Sequence, residues 1–180
     1  IIDKDCMLYH LLNTADVFDR SNDSYHFTAS SWITNYDRTK ILMIHHNLYQ
    51  SWAWTGGHSD GNKNLLEVAI KEAKEETGLR NIHVLSDKIF SLEILSVNTH
   101  RKNGVHIPKH LHFNITYLLE ADDSEVLVHK KDENSAVAWF SKDDAVSASN
   151  EDWMRKNVYD KLDQKLSIWI KQEIKKECIR

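Results

Sequence analysis

The segment from Gly57 to Leu79, GHSDGNKNLLEVAIKEAKEETGL, constrains this chain most, because it sets four glutamates on a glycine-flanked helix. Its periodicity predicts a helix over about 64–77, with Leu66, Ala69, Ile70, Ala73 and Thr77 on one stripe at spacings of three and four. That stripe is expected to be buried. At about 100° per residue, Glu72, Glu75 and Glu76 share a second face well away from it, so three carboxylates are expected to converge on one spot. Like charges at such spacings repel by roughly 0.2–0.5 kcal/mol per pair. A hard divalent cation such as Mg²⁺, which prefers oxygen ligands and substrate phosphates, would offset that repulsion. The plain alternative is a solvated acidic face.

The spacing around these carboxylates resembles the Nudix box, whose pattern is Gly, five residues, Glu, seven residues, Arg-Glu-apolar-any-Glu-Glu-any-Gly-apolar. Gly57, Glu72, Ala73, Glu75, Glu76, Gly78 and Leu79 fit at the required intervals. Two positions depart from it: Lys63 stands where the family has its first Glu, and Lys71 where it has Arg. Lysine keeps the charge of arginine but lacks the planar fork that grips a carboxylate. Glu67 is four residues from both lysines, so a Lys63–Glu67–Lys71 ladder is expected along the helix flank. Further stretches, HFTAS at 26–30, HH at 45–46, GGH at 56–58 and HLHF at 110–113, are similar to a little-characterised Nudix subgroup.

The resemblance implies the Nudix fold, an α/β (α+β sandwich) architecture with a mixed β-sheet between helices. It implies hydrolysis of a phosphoanhydride bond in a nucleoside diphosphate linked to another moiety, with water as nucleophile. Mg²⁺ or Mn²⁺ would be held by the Gly57 carbonyl, Glu72, Glu75 and Glu76, with Lys71 steadying Glu72. Several members also place a metal-binding or basic Glu in a loop before an aromatic strand. Glu133, in the acidic run before Val137-Ala-Trp-Phe140, is the best match, with Asp132 second.

The chain has 180 residues, of which 41 % are hydrophobic, which suits one domain over 1–180 with an adequate core. Helical spacing of Met7, Leu8, Leu11, Leu12, Ala15 and Phe18 predicts an N-terminal helix over about 3–19, with Asp3 as N-cap. A hairpin is expected from strands at 26–34 and 40–46, and the run Ile41-Leu-Met-Ile44 reads as a strand buried on both faces. Trp52 and Trp54 read either as packing residues or as platforms for a base. The stretch 98–109 reads as a long polar loop bringing His100, Arg101, Lys102, His106 and Lys109 within reach of a phosphate-rich substrate, or else as a solvated basic loop. A strand at 110–119 alternates cleanly, with Leu111, Phe113, Ile115, Tyr117 and Leu119 on one face and His110, His112, Asn114 and Thr116 on the other. Two imidazoles on one side of a strand suit zinc when a third ligand is near, but no third ligand of recognisable spacing follows, which favours a substrate-contacting or hydrogen-bonded cleft wall. His58, Arg101, His110, His112 and Trp54 are therefore the candidate substrate contacts. A closing helix is expected over about 150–176, N-capped by Asn150, with Val158, Leu162, Leu166, Ile170 and Ile174 as its stripe; this stripe, with Trp153 and Trp169, is also a candidate dimer face.

The net charge of −4 offers no general case for nucleic-acid binding. Cys6 and Cys178 match no metal or redox spacing and read as free thiols. With no signal peptide or membrane-length apolar run, the expectation is a cytoplasmic protein with no membrane partner, monomeric or homodimeric, acting on a small nucleotide diphosphate derivative. Two rivals remain. One is a Nudix scaffold retained as a nucleotide sensor, supported by Lys63 and Lys71; the other is an interaction protein working through its terminal helices. The isopentenyl-diphosphate isomerases, which use a related fold and a catalytic Cys, are set aside because no Cys lies between Met7 and Glu177.

Overall fold

The computed structural model describes residues 2–102 and 104–179. Helix α1 (Ile2–Asn13) precedes strands β1 (Tyr25–Asn35), β2 (Lys40–His46), β3 (Ser51–Ala53) and β4 (Thr55–His58) and helix α2 (Leu65–Thr77). Strands β5 (Ile82–Val84), β6 (Ser91–Val97), β7 (His100–Lys102), β8 (Val105–Ile107), β9 (His110–Ala121) and β10 (Asn134–Ser141) follow. Helices α3 (Lys142–Ala148), α4 (Asp152–Met154) and α5 (Asp160–Ile179) close the chain, with a π-helical turn at Arg155–Tyr159 between the last two.

The core is a mixed eight-stranded sheet in the order β10-β2-β1-β9-β5, with β3 added to β2, β4 to β1 and β6 to β9. Strands β1 and β9 are parallel and paired from Tyr25 and Leu111 to Asn35 and Ala121. Side chains alternate across that pair, so each face carries its own core. Phe27, Ala29, Ile33, Phe113, Ile115 and Leu119 meet Val68, Ala69 and Ala73 of α2 and Met7 of α1. On the opposite face Trp32, Ile41, Met43 and Leu118 meet Ala145 of α3 and Val158, Tyr159, Leu162 and Leu166 of the closing helices. The expected sandwich of a mixed sheet between helices is the fold observed.

The β1–β2 hairpin pairs at Thr34 and Ile41, beside its turn. Farther from the turn the two strands part: β1 takes β4 as its neighbour and β2 takes β3. This fork carries the glycines of β4 to the rim of a cleft.

Several boundaries differ from the expectations. Helix α1 ends at Asn13 rather than near Asp19, because the chain turns to give the Val17 carbonyl to the Phe27 amide at 2.8 Å. Asp3 lies inside this helix and accepts a bond from the Ile94 amide at 3.2 Å, so it is no cap. The stretch 98–109 is a two-stranded ribbon, β7 against β8, rather than a loop; Asn103 lies outside the described residues, as does the Lys102 side chain. Helix α3 was unexpected, although Ser141 caps it by accepting from the Asp144 amide. Asn150 does not cap the closing helix: its amide donates to Ser51 Oγ at 2.8 Å and its side chain to the Gln50 carbonyl at 3.2 Å. The stripe offered as a dimer face is the side that packs on the sheet, with Val158, Leu162 and Leu166 fully buried. Trp169 is covered by the Arg38 guanidinium, 5.2 Å from the ring centroid, while Trp153 and Ile174 are exposed.

Among the described residues no helix is long and apolar enough to cross a membrane. Leu162→Ala should cost roughly 2–5 kcal/mol, read by denaturant unfolding, since it opens a cavity between the closing helix and the sheet.

Candidate active site

Helix α2 is fixed at both ends. Asn64 Oδ1 accepts from the Glu67 amide, and Gly78, at φ 75°, closes the helix by donating to the Lys74 carbonyl. Its buried side comprises Val68, Ala69, Ala73, Glu76 and Thr77. Leu66 and Ile70 are only partly buried, and Glu76 belongs to the buried side rather than to a face well away from it. The reason lies in β4, where a backbone donor meets the carboxylate: the Gly56 amide donates to Glu76 Oε2 at 2.8 Å. Asn134, at the start of β10, donates to Glu76 Oε1 at 3.3 Å. Burial pushes the Glu76 carboxyl up to about 8; these two bonds oppose the rise, and the charges of Glu72 and Glu133 add to it.

Glu72 and Glu75 flank Glu76 on the cleft side. Lys71 Nζ stands between them, 3.0 Å from Glu72 Oε1 and 3.1 Å from Glu75 Oε2. Among the described residues Glu67 makes no ion pair with either lysine, so the expected ladder does not form: Lys63 precedes the helix and Lys71 turns toward the cleft. Gly57 leaves room for Glu72: a Cβ there would lie 2.5 Å from the Glu72 carboxyl carbon, so that side chain would have to shift. Glu133 joins the group, with Lys130 Nζ 3.0 Å from its Oε2 and 4.0 Å from Glu75 Oε2.

These residues line a cavity of about 360 Å³ with Arg20, Trp54, His58, Lys71, His112 and Asn114. A neighbouring cavity of about 550 Å³ shares Arg20, His58, His112 and Glu133 with it and adds His26, His100, Arg101, His110 and Asp132. His106 and Lys109 are exposed and line neither. Trp54 is buried, its ring T-shaped with that of Tyr159 at a centroid distance of 5.6 Å, and it also lines the first cavity. His110 and His112 come together with His26 and His58, the third and fourth imidazoles that spacing along one strand does not reveal. Burial and the surrounding imidazoles push His112 down to about 2, and burial also lowers His26.

Sequence reasoning missed Arg20, Lys130 and Asn134. Arg20 lines both cavities and is held by Asp60, its Nε 2.5 Å from Asp60 Oδ1. It sits in an ordinary polar run, so nothing local marks it. Asn134 directly follows the acidic pair 132–133 and was within reach of the same search.

Residues 24–162 match the model of the NUDIX domain. The chain belongs to the NUDIX family. The asymmetrical bis(5'-nucleosyl)-tetraphosphatase of Rattus norvegicus is 29 % identical over 102 residues, covering 57 % of this chain and 60 % of that protein. Solved structures share the fold. A C. elegans Ap4A hydrolase binary complex superposes with a TM-score of 0.58 at 17 % identity, over 81 % of this chain and 98 % of that one. A NUDIX-family hydrolase from Clostridium perfringens superposes with a TM-score of 0.55 at 24 % identity, over 80 % and 97 %.

The buried Glu76 makes stability depend on pH. An acid whose folded pKa is raised holds its proton more tightly when folded, so stability is full below its unfolded value and is lost as pH climbs toward the folded one. In metal-free protein, denaturant unfolding should therefore show stability falling by a few kcal/mol between about pH 5 and about pH 8. Glu76→Gln should flatten that decline.

Proposed function

We propose that this Nudix protein is a metal-dependent hydrolase that cleaves a phosphoanhydride bond in a nucleoside diphosphate linked to a second moiety. Support comes from one observation: Glu72, Glu75, Glu76 and Glu133 gather on one cavity, with a cationic centre already lodged between Glu72 and Glu75. An all-oxygen donor set of this kind fits Mg²⁺ or Mn²⁺. Glu72, Glu75 and Glu76 would hold the ion, with Gly57 leaving space for the Glu72 carboxyl. Bound there, the ion would neutralise diphosphate oxygens and acidify a water.

The chain's own groups supply the rest. Glu133 accepts the proton of the attacking water, with Lys130 Nζ 3.0 Å from its Oε2. Lys71 holds the Glu72 and Glu75 side chains in place. Arg20 and Arg101 bind phosphate oxygens from the two cavities. Because the cavities adjoin, a substrate with a group at each end of its phosphate chain fits them. A dinucleoside polyphosphate is one such compound, in keeping with the name of the rat relative; ADP-ribose and nucleotide sugars are others.

Lys71 favours a second reading. Its ammonium neutralises the same two carboxylates that a metal would, which suits a scaffold that binds nucleotides without cleaving them.

Phosphate and nucleotide release from a panel of these compounds, with Mg²⁺ or Mn²⁺, separates the two readings. Hydrolysis is expected, with kcat lowered by about 10²–10⁴-fold in Glu133→Gln. Nucleotide binding without turnover on any compound would establish the sensor instead. Gly57→Ala should displace the Glu72 carboxyl and weaken Mn²⁺ binding by about 10-fold or more, measured by calorimetry, with little change in folding.

A further inference from the structure

The histidines of β1 and β9 are brought together by strand register. His26 is directly paired with His112 in the parallel ladder, and His110 lies two residues upstream on the same face. One ring nitrogen from each of the three lies within 4.8 Å of the others. His110 Nε2 and His112 Nε2 are 3.0 Å apart. Two nitrogens at about 2.0–2.1 Å from a tetrahedral zinc ion are separated by roughly 3.3 Å, so the pair needs only a slight opening to share an ion.

The outer nitrogens of two rings are already committed. His26 Nδ1 lies 2.9 Å from the Asn22 carbonyl, and His110 Nδ1 lies 2.8 Å from the Pro108 carbonyl. A carbonyl only accepts, so both Nδ1 atoms carry the proton and both Nε2 atoms turn a lone pair inward. This is the arrangement by which outer hydrogen bonds orient metal-ligating histidines. The bond between His110 and His112 satisfies those two rings in the absence of an ion. It leaves His26 Nε2 buried with no hydrogen-bond partner among the described residues, on a residue only 3 % exposed. A hydrogen-bonded cleft wall therefore does not account for the third histidine.

We propose that His26, His110 and His112 form a binding site for a transition-metal ion of the zinc class, separate from the carboxylates of α2, with its open coordination position facing the larger cavity. Neutral imidazole is a good ligand for zinc and its neighbours and a poor one for Mg²⁺, so the two sites differ in the metal they select. Three protein ligands with a free position is the pattern of a site that engages a substrate rather than a purely structural one. His58 flanks the cluster, its ring centroid 5.1 Å from that of His26 and 5.0 Å from that of His112. Since His112 and Glu133 border both cavities, an ion here stands at the end of the cleft away from α2, where it meets an anionic or hydroxyl oxygen of the bound molecule. The site does not depend on the hydrolytic reading.

The test is a titration of the untagged full chain, stripped with a chelator, with Co²⁺ alone, followed by competition with Zn²⁺ and with Mg²⁺. The expected result is one equivalent of Co²⁺ with the visible absorption of a four- or five-coordinate ion, displaced by Zn²⁺ and not by Mg²⁺. Affinity should drop by about 10-fold or more in His26→Gln and in His110→Gln, each checked for folding by circular dichroism. The band should persist in a Glu72→Gln/Glu75→Gln double variant, whose turnover is lost on the hydrolytic reading. No visible band in the wild-type chain overturns the proposal, whatever the variants do. So does a band that the double variant abolishes, which would place the ion on α2.

Discussion

The parallel ladder between β1 and β9 is the constraint on which the rest of the molecule depends. It puts two long strands side by side in the middle of the sheet, with no shift along its length. Because successive residues point to opposite faces, that one register assigns Phe27, Ala29, Phe113 and Ile115 to the side of α2 and Trp32 and Leu118 to the side of the closing helices. It also brings together the polar residues at the open end of the second face. Thr28 and Ser30 donate to Asn114 Oδ1 at 3.1 and 2.6 Å, and Asn114 donates to the buried Glu93 at 3.2 Å. Glu93 is matched in turn by Lys161 of α5 at 2.7 Å. A slip of one residue would send the hydroxyls and imidazoles into the apolar core and the core residues into the cleft.

The cleft concentrates negative charge and balances it unevenly. Glu76 is enclosed, and burial outweighs its two hydrogen bonds. Glu72, Glu75 and Glu133 retain access to solvent and are partnered by Lys71 and Lys130. The division follows from the fork in the hairpin: β4, diverging with β1, carries the Gly56 amide to Glu76, while its neighbour Gly57 accommodates Glu72. One pair of glycines thus sets different environments for two carboxylates one helical turn apart. Such separation of environments lets neighbouring acids take different roles.

Much of this was legible from residue patterns, and the misses share a cause. The extents of α2 and β9 and the alternation across β9 could be read because each depends on local periodicity or on a motif of fixed spacing, and the gathering of Glu133 with the helix carboxylates was what the family resemblance implied. Helical angles put Glu76 with Glu72 and Glu75 on a face well away from the apolar stripe; the three do meet at one cavity, but a backbone donor from a distant strand decided that Glu76 is buried. Lys71 offers the same lesson: an i, i+4 ladder with Glu67 was open to it, and two cleft carboxylates outcompeted that partner. Asn150 had the composition of a cap but was used by Gln50 and Ser51, roughly a hundred residues away along the chain.

By itself, the sequence determined family, fold class and the identity of the acidic helix, since periodicity and spacing are properties of neighbours along the chain. Only the tertiary structure decided which carboxylate is buried, that Arg20 and Lys130 belong to the cleft, and that His26 completes a cluster with His110 and His112. Those outcomes depend on how strands far apart in sequence are paired and where a hairpin divides. Backbone hydrogen bonding and core packing settle both across the whole domain, and no short window of residues contains either.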